Sequence, residues 1–374
     1  MPLSQKGFCF INARKMVGRM QQAMSEHVVG EVVDLFCGVG AISHGFFRAG
    51  FDIRAGYDID KKCKFAFETN NRSQFIAGDV ASVSAKDINK HYSGTKPKIL
   101  VGCAPCQPFS SYKHRYAEDP QWSLVPRFAE IAVECGPDYI SMENVPRLLE
   151  YKDGAIFDQF KSVLESEGYG VWYSVVNAAD YGVPQSRRRL VLVAAKNGGL
   201  APPETWHSSP ITVSDAIRHL PKLDAGERHH QDPLHRSSSL SEMNLKRIKA
   251  SKAGGTWKDW PTELVADCHK RLSGKTYPSV YGRMSWDTPS PTITTQCYGF
   301  GNGRFGHPEQ NRAISLREAA ILQSFPEDYQ FVPHGRPISM KEVGRWIGNA
   351  VPVKLAESIA KGIRSHQEFS NGAG

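Results

Sequence analysis

Cys106 lies between two prolines in Gly102-Cys-Ala-Pro-Cys-Gln-Pro-Phe-Ser110, and a thiol on so constrained a backbone suits a nucleophile. The plainer alternative is a buried loop cysteine. Glu143, in Met142-Glu-Asn-Val145, has no Lys or Arg immediately beside it and is a candidate acid or hydrogen-bonding group, or simply a helix cap. In Gln185-Ser-Arg-Arg-Arg189 strand alternation would send Arg187 and Arg189 to one face and Arg188 to the other. Paired guanidiniums suit a phosphate or carbonyl, whereas a solvated charge run is the commoner origin of adjacent arginines. Asp34-Leu-Phe-Cys-Gly-Val-Gly40 places glycines where a ligand can approach the backbone, and Asp58, eighteen residues beyond Gly40, is placed to hydrogen-bond a ribose. The third glycine of a dinucleotide fingerprint is missing, which favours an adenosine-type ligand without a pyrophosphate. Cys103 and Cys106 are a close pair, but no second CxxC or His/Cys cluster completes a zinc site. No metal is expected, and the pair reads as structural or singly functional.

These runs need strand ends to hold them. Short β-branched segments alternate with amphipathic ones from about residue 31 to 196, the pattern of a layered βαβ sheet. Strands are predicted at Val32–Phe36, Ile53–Tyr57, Gln74–Ala77, Ile99–Gly102, Tyr139–Met142, Tyr173–Asn177 and Leu190–Ala194, and helices at His44–Ala49, Cys63–Asn70, Trp122–Cys135 and Ile156–Glu167. Runs such as Leu190-Val-Leu-Val193 are apolar on both faces, as parallel strands covered by helices require. In an open parallel sheet ligands bind at the carboxyl ends of the strands. The glycine loop, the Cys106 loop and Glu143 would therefore share one rim.

The chain has 374 residues with 40% hydrophobic and 10% aromatic content, enough for a sizeable core and, by length, two domains. No apolar run resembles a signal peptide or a membrane span, so a cytoplasmic or nucleoid-associated protein is expected. Eight scattered cysteines do not form a disulfide framework. The net charge is +8, and residues 196–315, rich in Pro, Ser and Gly, hold 16 Lys and Arg against 11 Asp and Glu. Most of the basic excess thus falls in one irregular segment, suited to a polyanion. Helices predicted at Leu316–Ser324 and Val353–Ile363 would return to complete the first domain. This divides the chain into an extension (1–30, with an amphipathic helix at Ala13–Ser25), a discontinuous domain (31–196 with 316–368) and an insert (197–315).

Taken in order, Asp34-Leu-Phe-Cys-Gly-Val-Gly40, Pro105-Cys106-Gln107, Glu143-Asn144-Val145 and Gln185-x-Arg187-x-Arg189 resemble the signature of DNA cytosine-5 methyltransferases of bacterial restriction-modification type. Arg283-Met-Ser-Trp-Asp-Thr-Pro-Ser-Pro-Thr-Ile-Thr294, Arg317-Glu-Ala-Ala-Ile-Leu-Gln-Ser-Phe-Pro326 and Gly348-Asn-Ala-Val351 extend the resemblance to residues 31–362. It departs at Ala41, where a second glycine is frequent, and at Cys37, often alanine.

The resemblance implies an α/β fold, a Rossmann-like class I S-adenosylmethionine-dependent sheet with a smaller, irregular target-recognition domain at 197–315. It assigns Phe36, Gly38, Gly40, Asp58, Ile59, Asp79, Pro105, Asn349 and Val351 to S-adenosylmethionine. Cys106 would attack C6 of cytosine and Glu143 would hydrogen-bond its N3 and exocyclic amine. Arg187 and Arg189 would hold the base and the cysteine loop, and Gln107, Ser110, Arg283, Thr294 and Arg304 would serve DNA. The expected reaction is methyl transfer to C5 of a flipped-out cytosine in a specific double-stranded sequence, by a monomer. A cognate restriction endonuclease acting on the same site is an expected companion, without a stable complex. Two alternatives stand beside it: a transfer-RNA cytosine-5 methyltransferase, although no Cys-Phe-Thr tripeptide of that branch is present, and a catalytically silent DNA-binding homologue.

Overall fold

The computed structural model describes residues 29–105, 123–196, 198–199, 201–206, 208–271 and 277–372. Cys106, Gln107, Ser110 and the helix expected at 13–25 lie outside the described residues. Seven strands, β1 (Glu31–Leu35), β2 (Asp52–Asp58), β3 (Gln74–Ala77), β4 (Lys98–Gly102), β5 (Tyr139–Asn144), β6 (Tyr169–Asn177) and β7 (Arg188–Lys196), form one sheet in the order β3-β2-β1-β4-β5-β7-β6. Strands β1 to β5 pair in parallel, whereas β7 runs antiparallel to both β5 and β6. Its run of apolar residues had implied a parallel strand. Burial on both faces is what the composition reports, and a central antiparallel strand meets that condition equally well.

The helices α1 (Ala41–Arg48), α2 (Lys64–Asn71), α3 (Leu124–Cys135), α4 (Ala155–Ser166), α5 (Val213–Ile217), α6 (Glu242–Ala250), α7 (Leu316–Leu322), α8 (Met340–Asn349) and α9 (Val353–Gly372) complete the frame used below. Alternation along β1 sends Val32 into one apolar cluster and Val33 and Leu35 into another, one on each side of the sheet. The first also takes Ile42 and Phe46 of α1 and Leu355, Ala356 and Ile359 of α9. The second takes Phe128 of α3 and Phe157, Phe160 and Leu164 of α4. Gly45 lets α9 approach α1, since a Cβ there would stand 2.5 Å from that of Ala356. Helix α8 escaped the sequence reading although Val343, Trp346 and Ile347, all buried, carry the i, i+3, i+4 spacing of an amphipathic helix.

The basic segment divides by its packing. Val213, Ile217, Leu234, Met284, Ile293 and Phe305 join the main core, while Ile248, Trp257, Trp260, Phe300 and Ala313 form a separate small cluster. Among the described residues no helix is long and apolar enough to cross a membrane.

Candidate functional site

The glycine loop leaves β1 in a conformation that most residues avoid: Phe36, Gly38 and Gly40 have φ of 61°, 51° and 88°. Space is open where a Cβ on Gly38 would sit, whereas one on Gly40 would strike Asn71 Nδ2 at 2.2 Å. Asp58, ending β2, ties the loop down by accepting from the Gly38 amide at 2.8 Å through Oδ2 and from the Asp60 amide at 2.8 Å through Oδ1. Burial raises its carboxyl above the usual range. Each oxygen accepts one bond and retains capacity for another, as two ribose hydroxyls would require.

Ile59 is 72% exposed at the same rim, and Phe36 is half-buried. Asp79 is exposed, its carboxylate accepting from the Ala81 amide at 3.0 Å, and a Cβ on the neighbouring Gly78 would meet nothing within 4 Å. Asp60 binds Arg345 at 2.6 Å and the Trp346 indole at 3.1 Å. That contact brings α8, ending in exposed Asn349 and followed by buried Val351, against the β2 end. Open space over Gly38 and Gly78, apolar surface at Phe36 and Ile59, and a carboxylate with spare acceptor sites together fit S-adenosylmethionine.

The next strand ends carry the second group. Cys103, Ala104 and Pro105 leave β4, with Pro105 half-buried, and buried Asn144 fastens this exit by donating to the Ala104 carbonyl at 3.2 Å. Glu143 is 4% exposed. Arg189 Nε stands 2.9 Å from its Oε1, an ion pair lacking the angle of a good hydrogen bond, and the Cys103 thiol donates to Oε2 at 3.0 Å. Glu143 appeared in sequence to have no cationic neighbour. The antiparallel run of β7 supplies one, because it pairs Asn144 with Leu190 and so delivers the start of β7 to the rim where β5 ends.

Two of the arginines are held by the protein's own carbonyls, and for Arg283 this corrects the assignment to DNA. Arg187 is buried, and its guanidinium donates to the carbonyls of Ile293 at 2.9 Å, Gly348 at 3.2 Å and Ala350 at 3.3 Å. Those bonds make it a clasp between the β7 entry, the 293 region and the end of α8. Arg283 is also buried, and all three guanidinium nitrogens bond protein oxygens: Nε to Ile248 and Ser251, Nη1 to His307 and Gln310, Nη2 to Ile248 and Asn311. It braces the small cluster and has no donor left for DNA. Thr294 is exposed, its backbone packed against Gly348, and Arg304 is half-buried with Nε unbonded. The sequence reading missed the Cys103 contact and the second half of the clasp: Gln185 bonds Gln323 at 2.6 Å and the Ile293 amide at 2.9 Å, and Gln323 bonds the carbonyls of Ile347 and Ala350 at 2.8 Å. Gln185 stood in a quoted motif, but nothing local pointed to residues more than a hundred positions away.

The family of C-5 cytosine-specific DNA methylases matches residues 30–365. Type II methylase M.HgiDII of Herpetosiphon aurantiacus is 51% identical over 343 residues, covering 91% of this chain and 97% of the relative. Type II methyltransferase M1.HphI of Haemophilus parahaemolyticus is 34% identical, covering 88% and 86%. Among solved structures, a prophage-encoded E. coli protein described as a DNA modification methyltransferase superposes with a TM-score of 0.70 at 24% identity, covering 90% of this chain and 99% of that one. The Entamoeba histolytica methyltransferase EhMeth gives 0.63 at 16%, covering 90% and 98%. The structural likenesses show the Rossmann-like methyltransferase fold, and the family match with 51% identity over nearly the whole length carries more: the chain belongs to the C-5 cytosine-specific DNA methylases.

Proposed function

We propose that this DNA cytosine-5 methyltransferase moves the methyl group of S-adenosylmethionine to C5 of a flipped-out cytosine in a specific duplex sequence, through a covalent bond between Cys106 and C6. The carrying observation is the buried Glu143–Arg189 pair at the rim that also holds the glycine loop and Asp58. Bound S-adenosylmethionine supplies an electrophilic methyl on a sulfonium. Asp58 would hold its ribose, with Phe36 and Ile59 against the nucleoside, Asp79 at the adenine, and Pro105, Asn349 and Val351 along its edges.

C5 of cytosine is a weak nucleophile, and addition of the Cys106 thiolate to C6 turns the ring into an enamine. Glu143 hydrogen-bonds N3 and the exocyclic amine and neutralises the charge that addition places on the ring, a contribution of about 10²–10⁴-fold for a positioned acid. Arg189 keeps the Glu143 carboxylate in place. After transfer a proton leaves C5 and the thiolate is eliminated, a sequence for which sulfur serves as both nucleophile and leaving group. Extruding the base costs a few kcal/mol. The basic segment around Thr294 and Arg304, with Gln107 and Ser110, would repay that cost through phosphate and groove contacts.

The Type II names of the relatives support a role in restriction-modification beside a cognate endonuclease, in the cytoplasm. Incubation with labelled S-adenosylmethionine and either duplex DNA or transfer RNA tests the substrate class; label in C5 of DNA cytosine is expected. Cys106→Ser should abolish transfer, and normal turnover in that variant would refute the covalent route.

A further inference from the structure

Cys103 belongs to the Cys103-Ala-Pro-Cys106 run, yet the methyl-transfer chemistry makes no use of it. Gly102 of β4 lies opposite Met142 of β5, so the next residues along the two parallel strands, Cys103 and Glu143, emerge side by side. The thiol reaches Glu143 Oε2 at 3.0 Å, while Oε1 faces Arg189 Nε at 2.9 Å. The terminal torsion of a glutamate is broad and nearly two-fold, and one contact to one oxygen leaves the carboxylate plane able to rotate. One hydrogen bond and one ion pair on different oxygens, one from each neighbouring strand, stop that rotation.

We propose that Cys103 is a positioning residue for Glu143: its thiol fixes the plane of the carboxylate and ties it to the chain that leads into the Cys106 loop. The proposal rests on the reading of Glu143 as the group that contacts the base. A carboxyl group offers about four acceptor sites when ionised and one donor when protonated, so beside the two contacts it keeps a lone pair for the exocyclic amine, which donates, and an oxygen that can carry the proton donated to N3. A thiol is a weak donor, able to orient the carboxylate without competing strongly with an arriving base.

Cys103→Ala and Cys103→Ser are similar in size, and only serine keeps a donor. With duplex DNA, Cys103→Ala should lower kcat about tenfold while KM stays within about twofold, since the interaction is needed for chemistry and not for capture. Cys103→Ser should restore kcat to within about threefold of the parent. Unfolding midpoints of both variants close to that of the parent would exclude a folding defect as the origin of the loss. A Cys103→Ala kcat within about twofold of the parent, or a serine variant as slow as the alanine one, overturns the proposal. Glu143→Gln assayed in parallel separates the two ideas. If it loses activity while Cys103→Ala does not, only the role of Cys103 falls; if it retains activity, the reading of Glu143 falls and this inference with it.

Discussion

Glu143 and Asp34 are both carboxyl groups on strands of one sheet, and their neighbours give them opposite tasks. Glu143 has a cation at 2.9 Å and a proposed part in the chemistry, so Glu143→Gln should lower kcat by about 10²–10⁴-fold with little change in DNA affinity, as steady-state kinetics would show. Asp34 is fully buried, bonded to Ser43 Oγ at 2.6 Å through Oδ2, with Oδ1 unbonded. Burial pushes its pKa up to about 7 from 3.8. Between those values the folded state holds a proton that the unfolded state has released, so this group's contribution to stability falls as pH rises from about 4 to about 7. Asparagine keeps an acceptor for Ser43 without titrating. The unfolding midpoint of Asp34→Asn relative to the parent should therefore rise between pH 4 and pH 8, and a pH-independent difference would contradict the assignment.

At the scale of elements, the basic segment meets α7 through a buried ionic cluster. Arg312 grips Glu318 with two bonds of 2.7 Å, Glu318 caps α7 through the Ser315 amide, and His307 lies 3.7 Å from the same carboxylate. Burial alone would raise Glu318, but the Arg312 hydrogen bonds and charge outweigh it and hold the carboxyl at about 2, while burial lowers His307 to about 4. Both folded values lie below their unfolded ones. Stability should thus be lost as pH falls, first from about 6.5 to 4 through His307 and then from about 4.5 to 2 through Glu318. His307→Gln should flatten the first limb in unfolding measured against pH, and Glu318→Gln, which strands Arg312, should cost about 3–5 kcal/mol at neutral pH. The two insert arginines should separate in the same way. Arg283→Ala should destabilise the fold, since its donors brace protein carbonyls, whereas Arg304→Ala should reduce the slope of log DNA affinity against log salt by about 1 with little effect on the unfolding midpoint. Unfolding midpoints check the first, and binding isotherms at several salt concentrations check the second.

Over the whole molecule, the Arg187–Gln185–Gln323 clasp joins the start of β7, the Ile293 region and the end of α8. Gln185→Ala should strand Gln323 and the Ile293 amide at a cost of about 1–3 kcal/mol for each buried group left unbonded, read as a lower unfolding midpoint. Much of this architecture was legible in the chain because it is written locally. Strand runs, amphipathic spacing, and glycines at a strand-to-helix turn each depend on neighbours a few residues away, and the ordered motifs carried the family. Three things were not local: the direction of β7, the cation facing Glu143, and the burial of Arg187 and Arg283. An apolar strand has the same composition whichever way it runs, and an arginine motif does not state whether its donors face water, DNA or the protein's own carbonyls. By itself the sequence determined the elements, the motif order and the candidate chemistry. Only the tertiary structure decided which side chains meet, because ion pairs and carbonyl clasps form between strand ends brought together by the sheet, not between neighbours in the chain.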